Sequence, residues 1–202
     1  FGNFQESYFI RGFILNSDSV AYNGLYGLLP RQYISAELFE RVEVLRGASA
    51  FLNGASPGGD GLGGAINLLP KRAPNESLAR VTVGTENGEQ GLASIDVAER
   101  FGENKNTGVR INAAHKEGGT SVDNENVELN LFSIGWDYRN DNLRLSADVG
   151  HQEHRIKETR TNVTLSGVTV VPDAPSGSSN WAQPWSYSNE TDTFGSFRGE
   201  YD

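Results

Sequence analysis

The sequence predicts a small mixed α+β unit followed by a run of antiparallel strands, and two observations carry that reading. Residues 76–202 alternate apolar with polar side chains at period two through successive runs, whereas residues 1–75 mix short strands with helix-capping signals. The net charge of −9 is split in the same place: the first 75 residues hold six basic and six acidic side chains, and the remainder hold eleven basic and twenty acidic. That shift sets a boundary near Pro74, dividing the chain into units 1–75 and 76–202.

In the first unit, "YFIRGF" (8–13) is a short strand ending at Gly12, and "SVAYNGLYG" (19–27) is a second strand running into an Asn23-Gly24 turn, a strong hairpin signal. "SAELFERVEVLRG" (35–47) starts as a helical turn capped by Ser35 and becomes an alternating strand at Val42, Val44 and Leu45. "SAFLNG" (49–54) fits one helical turn capped by Ser49 and closed by Gly54, and "GAINLLPKR" is a strand stopped by Pro70.

The second unit has one rhythm. "LARVTVGTE" (78–86), "GLASIDVAERF" (91–101), "GVRINAAHK" (108–116), "VELNLFSIGWDYR" (127–139) and "NLRLSADVGHQEHRI" (142–156) each place apolar residues on one face, and "TDTFGSFRGEY" (191–201) adds a sixth strand. Ile95, Val97 and Phe101 oppose Ser94, Asp96 and Arg100, and Val109, Ile111 and Ala113 oppose Arg110, Asn112 and Lys116. The apolar phase switches near Leu131-Phe132, where a bulge is expected. Short polar turns alternate with larger loops, the longest spanning 157–190, as in a transmembrane barrel with strands of about ten residues. A soluble antiparallel sandwich shares the same periodicity.

Composition excludes several function classes. There is no cysteine, so disulfides, thiolate chemistry and Cys-ligated zinc are out. The acidic balance lacks the clustered Lys and Arg that nucleic acid requires. His151 and His154 lie three apart on a strand and so point to opposite faces, which argues against a protein-ligated metal. No G-x-S-x-G or paired-carboxylate setting supports an enzyme. The chain opens at Phe1 without an initiator Met or signal sequence and stops at Asp202 inside a strand pattern, which reads as a fragment.

Seven glycines occupy the eighteen positions from Gly47 to Gly64. "GDGLGG" (59–64) satisfies G-x-G-x-x-G, but it opens a strand, not a helix, so the pyrophosphate geometry is reversed. Glycine also permits close backbone approach. Together "YFIRGF", "YNGL" and "ELFERVEVLRGASAFLNGASPGGDGLGGAINLLPKRAP" (37–74), followed directly by acidic alternating strands, resemble the plug-to-barrel junction of TonB-dependent outer-membrane receptors of the ferric-siderophore subfamily. Ala48, where proline is common, and Asn53, where an aromatic is common, depart from the pattern.

The resemblance implies a plug over 1–75 inside a barrel of about 22 strands, of which 76–202 supplies the first six or so. It implies that the glycine-rich backbone threads between plug sheet and barrel wall. It implies further that Arg11 and Arg46 pair with barrel carboxylates, since a buried guanidinium needs such partners. The apical segments 15–19 and 26–33 give Leu15, Asn16, Tyr26, Leu29, Arg31, Gln32 and Tyr33 as ligand contacts, with Arg31 and Gln32 as donors toward an anionic or oxygen-rich iron chelate. Trp181, Trp185 and Tyr187 form either a rim above the site or an interfacial girdle. The implied function is TonB-dependent uptake of a ferric siderophore at the bacterial outer membrane. Its partners are the chelate, TonB and outer-membrane lipid, and iron is cargo, with no cofactor of the protein. Cobalamin or haem is the alternative cargo; a soluble carbohydrate-binding or adhesive β-domain is the alternative class.

Overall fold

A computed structural model describes residues 5–47, 54–86, 89–161, 164–170 and 172–202, and in them the chain forms three sheets. β1 (Ser7–Ile10) and β2 (Phe13–Asn16) make a hairpin whose turn residues, Arg11 and Gly12, both adopt positive φ, 55° and 85°. Those dihedrals match the twist of a two-residue hairpin, so the strand reverses at Arg11-Gly12 and does not simply end there. The second sheet has the order β3 (Ala21–Tyr22), β5 (Gly64–Pro70), β4 (Phe39–Arg46), parallel for the first pair and antiparallel for the second. Asn23-Gly24 does turn the chain, with φ of 50° and 83°, but only one bridge, Tyr22 to Leu25, follows. The strand edge expected to form a hairpin is spent on β5, which buries Ala21 and Tyr22.

The α+β expectation is overturned. Among the described residues there is no α-helix, only two short 3-10 turns, Ser17–Ser19 and Ala36–Leu38. Ser35 does not cap a helix: its hydroxyl donates to the Glu37 carboxylate and its backbone N–H donates to Gln152 Oε1 at 3.1 Å. The chain must be extended again by Phe39 to enter β4, which leaves no room for a second turn. The expected turn over 49–53 lies outside the described residues.

The third sheet is a six-stranded antiparallel meander of β6 (Leu78–Glu86), β7 (Gln90–Phe101), β8 (Thr107–Gly119), β9 (Asn126–Arg139), β10 (Leu143–Lys157) and β11 (Tyr187–Tyr201). Its faces are inverted relative to a soluble sheet. Asp96, Arg100, Arg110, Asn112, Lys116 and Asp148 are buried, whereas Val81, Val83, Ile95, Val97, Ile134, Val149 and Phe197 are exposed. No bulge occurs at Leu131-Phe132, where the register with β8 and β10 runs unbroken. The phase switch has another cause: Leu129 and Leu131 turn toward the N-terminal unit, at 1% and 5% exposure, while Phe132 and Ile134 turn outward.

The N-terminal sheets lie against the polar face of this wall. One apolar core joins Ile10, Leu15, Tyr22, Ile66 and Leu68 to Leu131 and Phe194 of the wall, with the Tyr22 and Phe194 rings edge to face at 5.4 Å. The glycine run serves this unit internally. A Cβ at Gly63 would strike the Ile10 carbonyl, and one at Gly64 would strike the Leu45 carbonyl, so at these two positions the close approach is to β1 and β4. The connections after β6, β8 and β10, the last of them the longest, share one end of the meander, and short turns at 102–106 and 140–142 share the other.

Candidate functional site

Two contact regions fasten the N-terminal unit to the wall. The first is a charged clamp around residues 71–73, just past β5. Lys71 Nζ lies 3.3 Å from Asp96 Oδ2 and 2.8 Å from Asn112 Oδ1, and Arg72 engages both oxygens of Asp148, with Nη2 to Oδ2 at 2.7 Å. Arg110 donates to both Asp96 oxygens at 2.8 and 2.7 Å, to Glu40 at 2.6 Å and to the Arg72 carbonyl at 3.0 Å. Arg100 donates to Asp137 Oδ2 at 2.5 Å and to the Ala73 carbonyl at 2.8 Å. Period-two alternation delivers all of these wall side chains to one face, and paired guanidinium and carboxylate groups offset the cost of burying either alone. Burial pushes the Arg72 guanidinium down, but Asp148 more than offsets it and keeps the cation firmly protonated.

The second region is an apical latch at the long-loop end. Glu190 Oε1 accepts from the backbone N–H groups of Arg31 at 3.0 Å and Gln32 at 2.8 Å, and Ser188 Oγ donates to Gln32 Oε1 at 2.8 Å. Gln152 bridges the chain, donating to the Tyr33 carbonyl at 2.7 Å while accepting from Ser35. The Tyr33 ring stacks on His154 with centroids 4.5 Å apart. Burial raises the Tyr33 phenol, with partial relief from the Lys116 ammonium, so it stays neutral across the physiological range. A cavity of about 580 Å³ opens beside this stack, lined among others by Tyr8, Tyr33, Glu86, Lys116 and His154. A second of about 300 Å³ lies between Asp18, Leu29, Arg31 and Asp192.

The structure brings Arg31, Gln32 and Tyr33 together at this latch and sets Leu29 and Arg31 on the second cavity. Arg31 is exposed and 3.9 Å from Asp18. Tyr26 lines a separate apolar cavity of about 210 Å³ with Ser19, Ala55 and Leu62. Leu15, 1% exposed, is a core residue, and Asn16 is tied through its backbone N–H and amide to Asp60 at 2.8 and 3.1 Å. Arg11 and Arg46 are exposed, and among the described residues neither makes an ion pair. Trp185 and Tyr187 line a cavity with Glu117, Glu128 and Arg155. The alternation of β8 to β11 sets Glu117, Glu128, Arg155 and Tyr187 on the outward face, which favours the girdle reading. The sequence reading missed the clamp, although Lys71-Arg72 beside a wall whose inward positions carry Asp96, Asp137 and Asp148 was a legible signal.

Asp60 fixes the approach of the glycine run to β2. Burial pushes its carboxyl up, but hydrogen bonds from the Asn16 backbone and from Ser56 win and hold it below the usual carboxylate range. Its folded value is the lower one, so its stabilisation is full above the ordinary value of 3.8 and fades as pH falls through the folded value. Asp60→Asn is therefore expected to be less resistant to proteolysis than the parent at neutral pH. The two should converge as pH falls below the usual carboxylate range, and a gap that stays constant on acidification would remove Asp60 as the cause.

A small β-unit clamped by buried charges to the polar face of an outwardly apolar meander is the architecture of a TonB-dependent receptor, and residues 1–60 match the TonB-dependent Receptor Plug Domain family. The chain belongs to that receptor class. It is 45% identical over all 202 residues to the ferrichrome receptor FcuA of Yersinia enterocolitica, covering 27% of that protein. Its fold matches BauA, the ferric preacinetobactin receptor of Acinetobacter baumannii, with a TM-score of 0.94 at 36% identity over 100% of this chain and 30% of that one. It also matches FpvA of Pseudomonas aeruginosa in a ferric pyoverdine complex, with a TM-score of 0.81 at 22% identity over 97% of this chain and 26% of that one, a likeness of fold. The chain thus spans less than a third of the length of these relatives.

Proposed function

We propose that this chain is the plug, over residues 1–75, and the first barrel strands, over 76–202, of an outer-membrane receptor that imports a ferric siderophore with energy delivered through TonB. The observation that carries the reading is the latch. The segment Arg31–Tyr33 lies at the long-loop end of the wall and is held there by Glu190, Gln152 and Ser188, so a chelate arriving from that end meets the plug where plug and wall are joined. The resemblance to receptors named for ferrichrome and preacinetobactin supports a ferric chelate over cobalamin or haem as cargo. The outward apolar face suits lipid, where a mid-depth Arg or Lys would cost roughly 2–4 kcal/mol, and closure by the remaining strands of a barrel of about 22 removes the open edges of β6 and β11. The iron travels in its chelator, with no cofactor needed from the protein.

The test is uptake of radiolabelled ferric chelates by iron-starved cells carrying the complete receptor, with and without functional TonB. Uptake that persists without TonB, or binding confined to cobalamin or haem, overturns the reading. Arg11 and Arg46 are then proposed to face carboxylates on strands beyond these six. Arg46→Ala is expected to raise sensitivity to bulky antibiotics while chelate affinity stays within about tenfold. A large affinity loss without leakage would assign Arg46 to the ligand.

A further inference from the structure

On the outward face of the wall the apolar band stops well short of the long-loop end. Along β9 its last apolar side chain is Phe132, followed outward by Asn130 and Glu128, and the paired strands carry His115 and Glu117 on β8 and His151, Glu153 and Arg155 on β10. This belt bonds to itself, His115 to Asn130 at 2.8 Å and His151 to Thr193 at 2.7 Å. At its upper margin lies the groove of about 680 Å³ whose lining includes Glu117, Glu128, Arg155, Lys157, Trp185 and Tyr187. Arg155 sits between Glu128 at 3.5 Å and Glu153 at 3.3 Å, whereas among the described residues the Lys157 ammonium makes no ion pair. The charged lining belongs to β8, β9 and β10, each paired on both sides, and a further strand along the free edge of β11 would bond its main chain and leave this face uncovered.

Height decides what can reach the groove. Glu128 stands four residues beyond Phe132, about 13 Å along the strand and, at a tilt of about 40°, about 10 Å above the apolar border. Phospholipid head groups extend only about 5–8 Å beyond the hydrocarbon. The groove therefore lies above them, at the depth of the sugars in a glycolipid.

Resting on the outer-membrane reading above, we propose that this groove binds the phosphorylated saccharide of an outer-leaflet glycolipid. Lys157, with the N–H donors of Arg155 not spent on Glu128 and Glu153, takes the phosphate in charge-assisted hydrogen bonds. Glu117 and Glu128 accept from sugar hydroxyls, and Trp185 and Tyr187 offer flat apolar faces to a sugar ring. The acyl chains then run down over the exposed Phe132, Ile134 and Val149, so one amphiphile spans groove and apolar band. Two cations and two carboxylates line the groove, and this balance does not concentrate anionic lipid by charge alone. Recognition therefore requires the sugar as well as the phosphate.

The experiment titrates the complete receptor in non-ionic detergent with rough lipopolysaccharide, with the same glycolipid stripped of phosphate, and with phosphatidylglycerol, counting bound lipid by native mass spectrometry. The intact glycolipid is expected to bind about tenfold or more tightly than either of the others. Arg155→Gln with Lys157→Gln should bring it down to the level of the stripped form, whereas Trp185→Ala with Tyr187→Ala should weaken both glycolipids and spare phosphatidylglycerol. All four positions are exposed on the outward side, so the variants should fold, and chelate uptake by cells carrying them checks this. Phosphatidylglycerol bound as tightly as the intact glycolipid, or a preference for phosphate that survives the Arg155 and Lys157 changes, overturns the site and leaves siderophore uptake standing. A receptor that keeps the preference but imports no ferric chelate supports the site and sinks the cargo reading alone.

Discussion

Asp148→Ala in the complete receptor is expected to loosen the plug from the barrel wall and to make the outer membrane leaky. Asp148 is 4% exposed and receives both Arg72 nitrogens, with Ser196 as a further donor at 3.2 Å. Removing it leaves the Arg72 guanidinium facing Gly135 and the Lys71 carbonyl with no directly bonded carboxylate, Asp137 being the nearest remaining counter-charge and already paired with Arg100, and breaking a fully buried pair in this way costs about 3–5 kcal/mol. The Arg72 side chain keeps 26% exposure, so water recovers part of that and a loss of about 2–3 kcal/mol in plug docking is expected. Protease sensitivity of residues 5–75 and influx of a bulky antibiotic are the measurements. Asp148→Asn, which keeps an acceptor, should fall between parent and alanine. If the alanine variant resists protease as well as the parent, the clamp does not depend on this pair.

Gly135→Val is expected to separate two effects of opposite sign. Valine favours a strand over glycine, so β9 alone should gain from the change. A Cβ at Gly135, however, would lie 2.7 Å from the Lys71 carbonyl oxygen and 3.0 Å from Arg72 Nη1, and a carbonyl in the main chain cannot swing aside as a side-chain tip can. The linker must shift, at a cost of about 1–3 kcal/mol for overpacking, and the clamp distances shift with it. Gly84→Val provides the control, because nothing in the described structure lies within 4 Å of a Cβ there. Thermal unfolding of the plug should fall for Gly135→Val and hold for Gly84→Val. Equal behaviour of the two would mean that the linker does not lie in this groove.

The wall was the legible part of this chain. Period-two alternation marked β6 at its observed bounds, Leu78–Glu86, and the next four strands to within three residues at either end, because one face is outward and apolar and the other inward and polar along the strand. The same logic failed at Leu131-Phe132, where both neighbours are apolar but Leu131 is buried against the N-terminal unit and Phe132 is exposed on the outward face; alternation cannot tell a bulge from an apolar contact on the polar side. It failed again at Ser35, whose local sequence reads as a helix cap while its backbone N–H is claimed by Gln152, 117 residues away. The clamp was present in the letters Lys71-Arg72 but not in any local pattern, since its partners arrive from β7, β8, β9 and β10. Arg31–Tyr33 was found by position in the receptor pattern, and the wall residues that hold it, Glu190 and Gln152, needed the fold.

The meander also sets a sequence of events in time. Each of its strands pairs only with its neighbours in the chain, so the wall can grow hairpin by hairpin, with short loops to close except before β11. The latch joins residues 158 and 159 positions apart, the most distant hydrogen-bonded contact among the described residues, and cannot form before β11 exists. The N-terminal unit precedes the wall in the chain yet completes its contacts only after β11 has formed, and Ile10, Leu15 and Tyr22, which share a core with Leu131 and Phe194 of the wall, must be kept from other partners in the interval. Pulsed hydrogen exchange during refolding of the complete receptor should find amides of β8 to β10 protected before those of Gln32 and Ser35, and the reverse order would mean that the plug templates the wall.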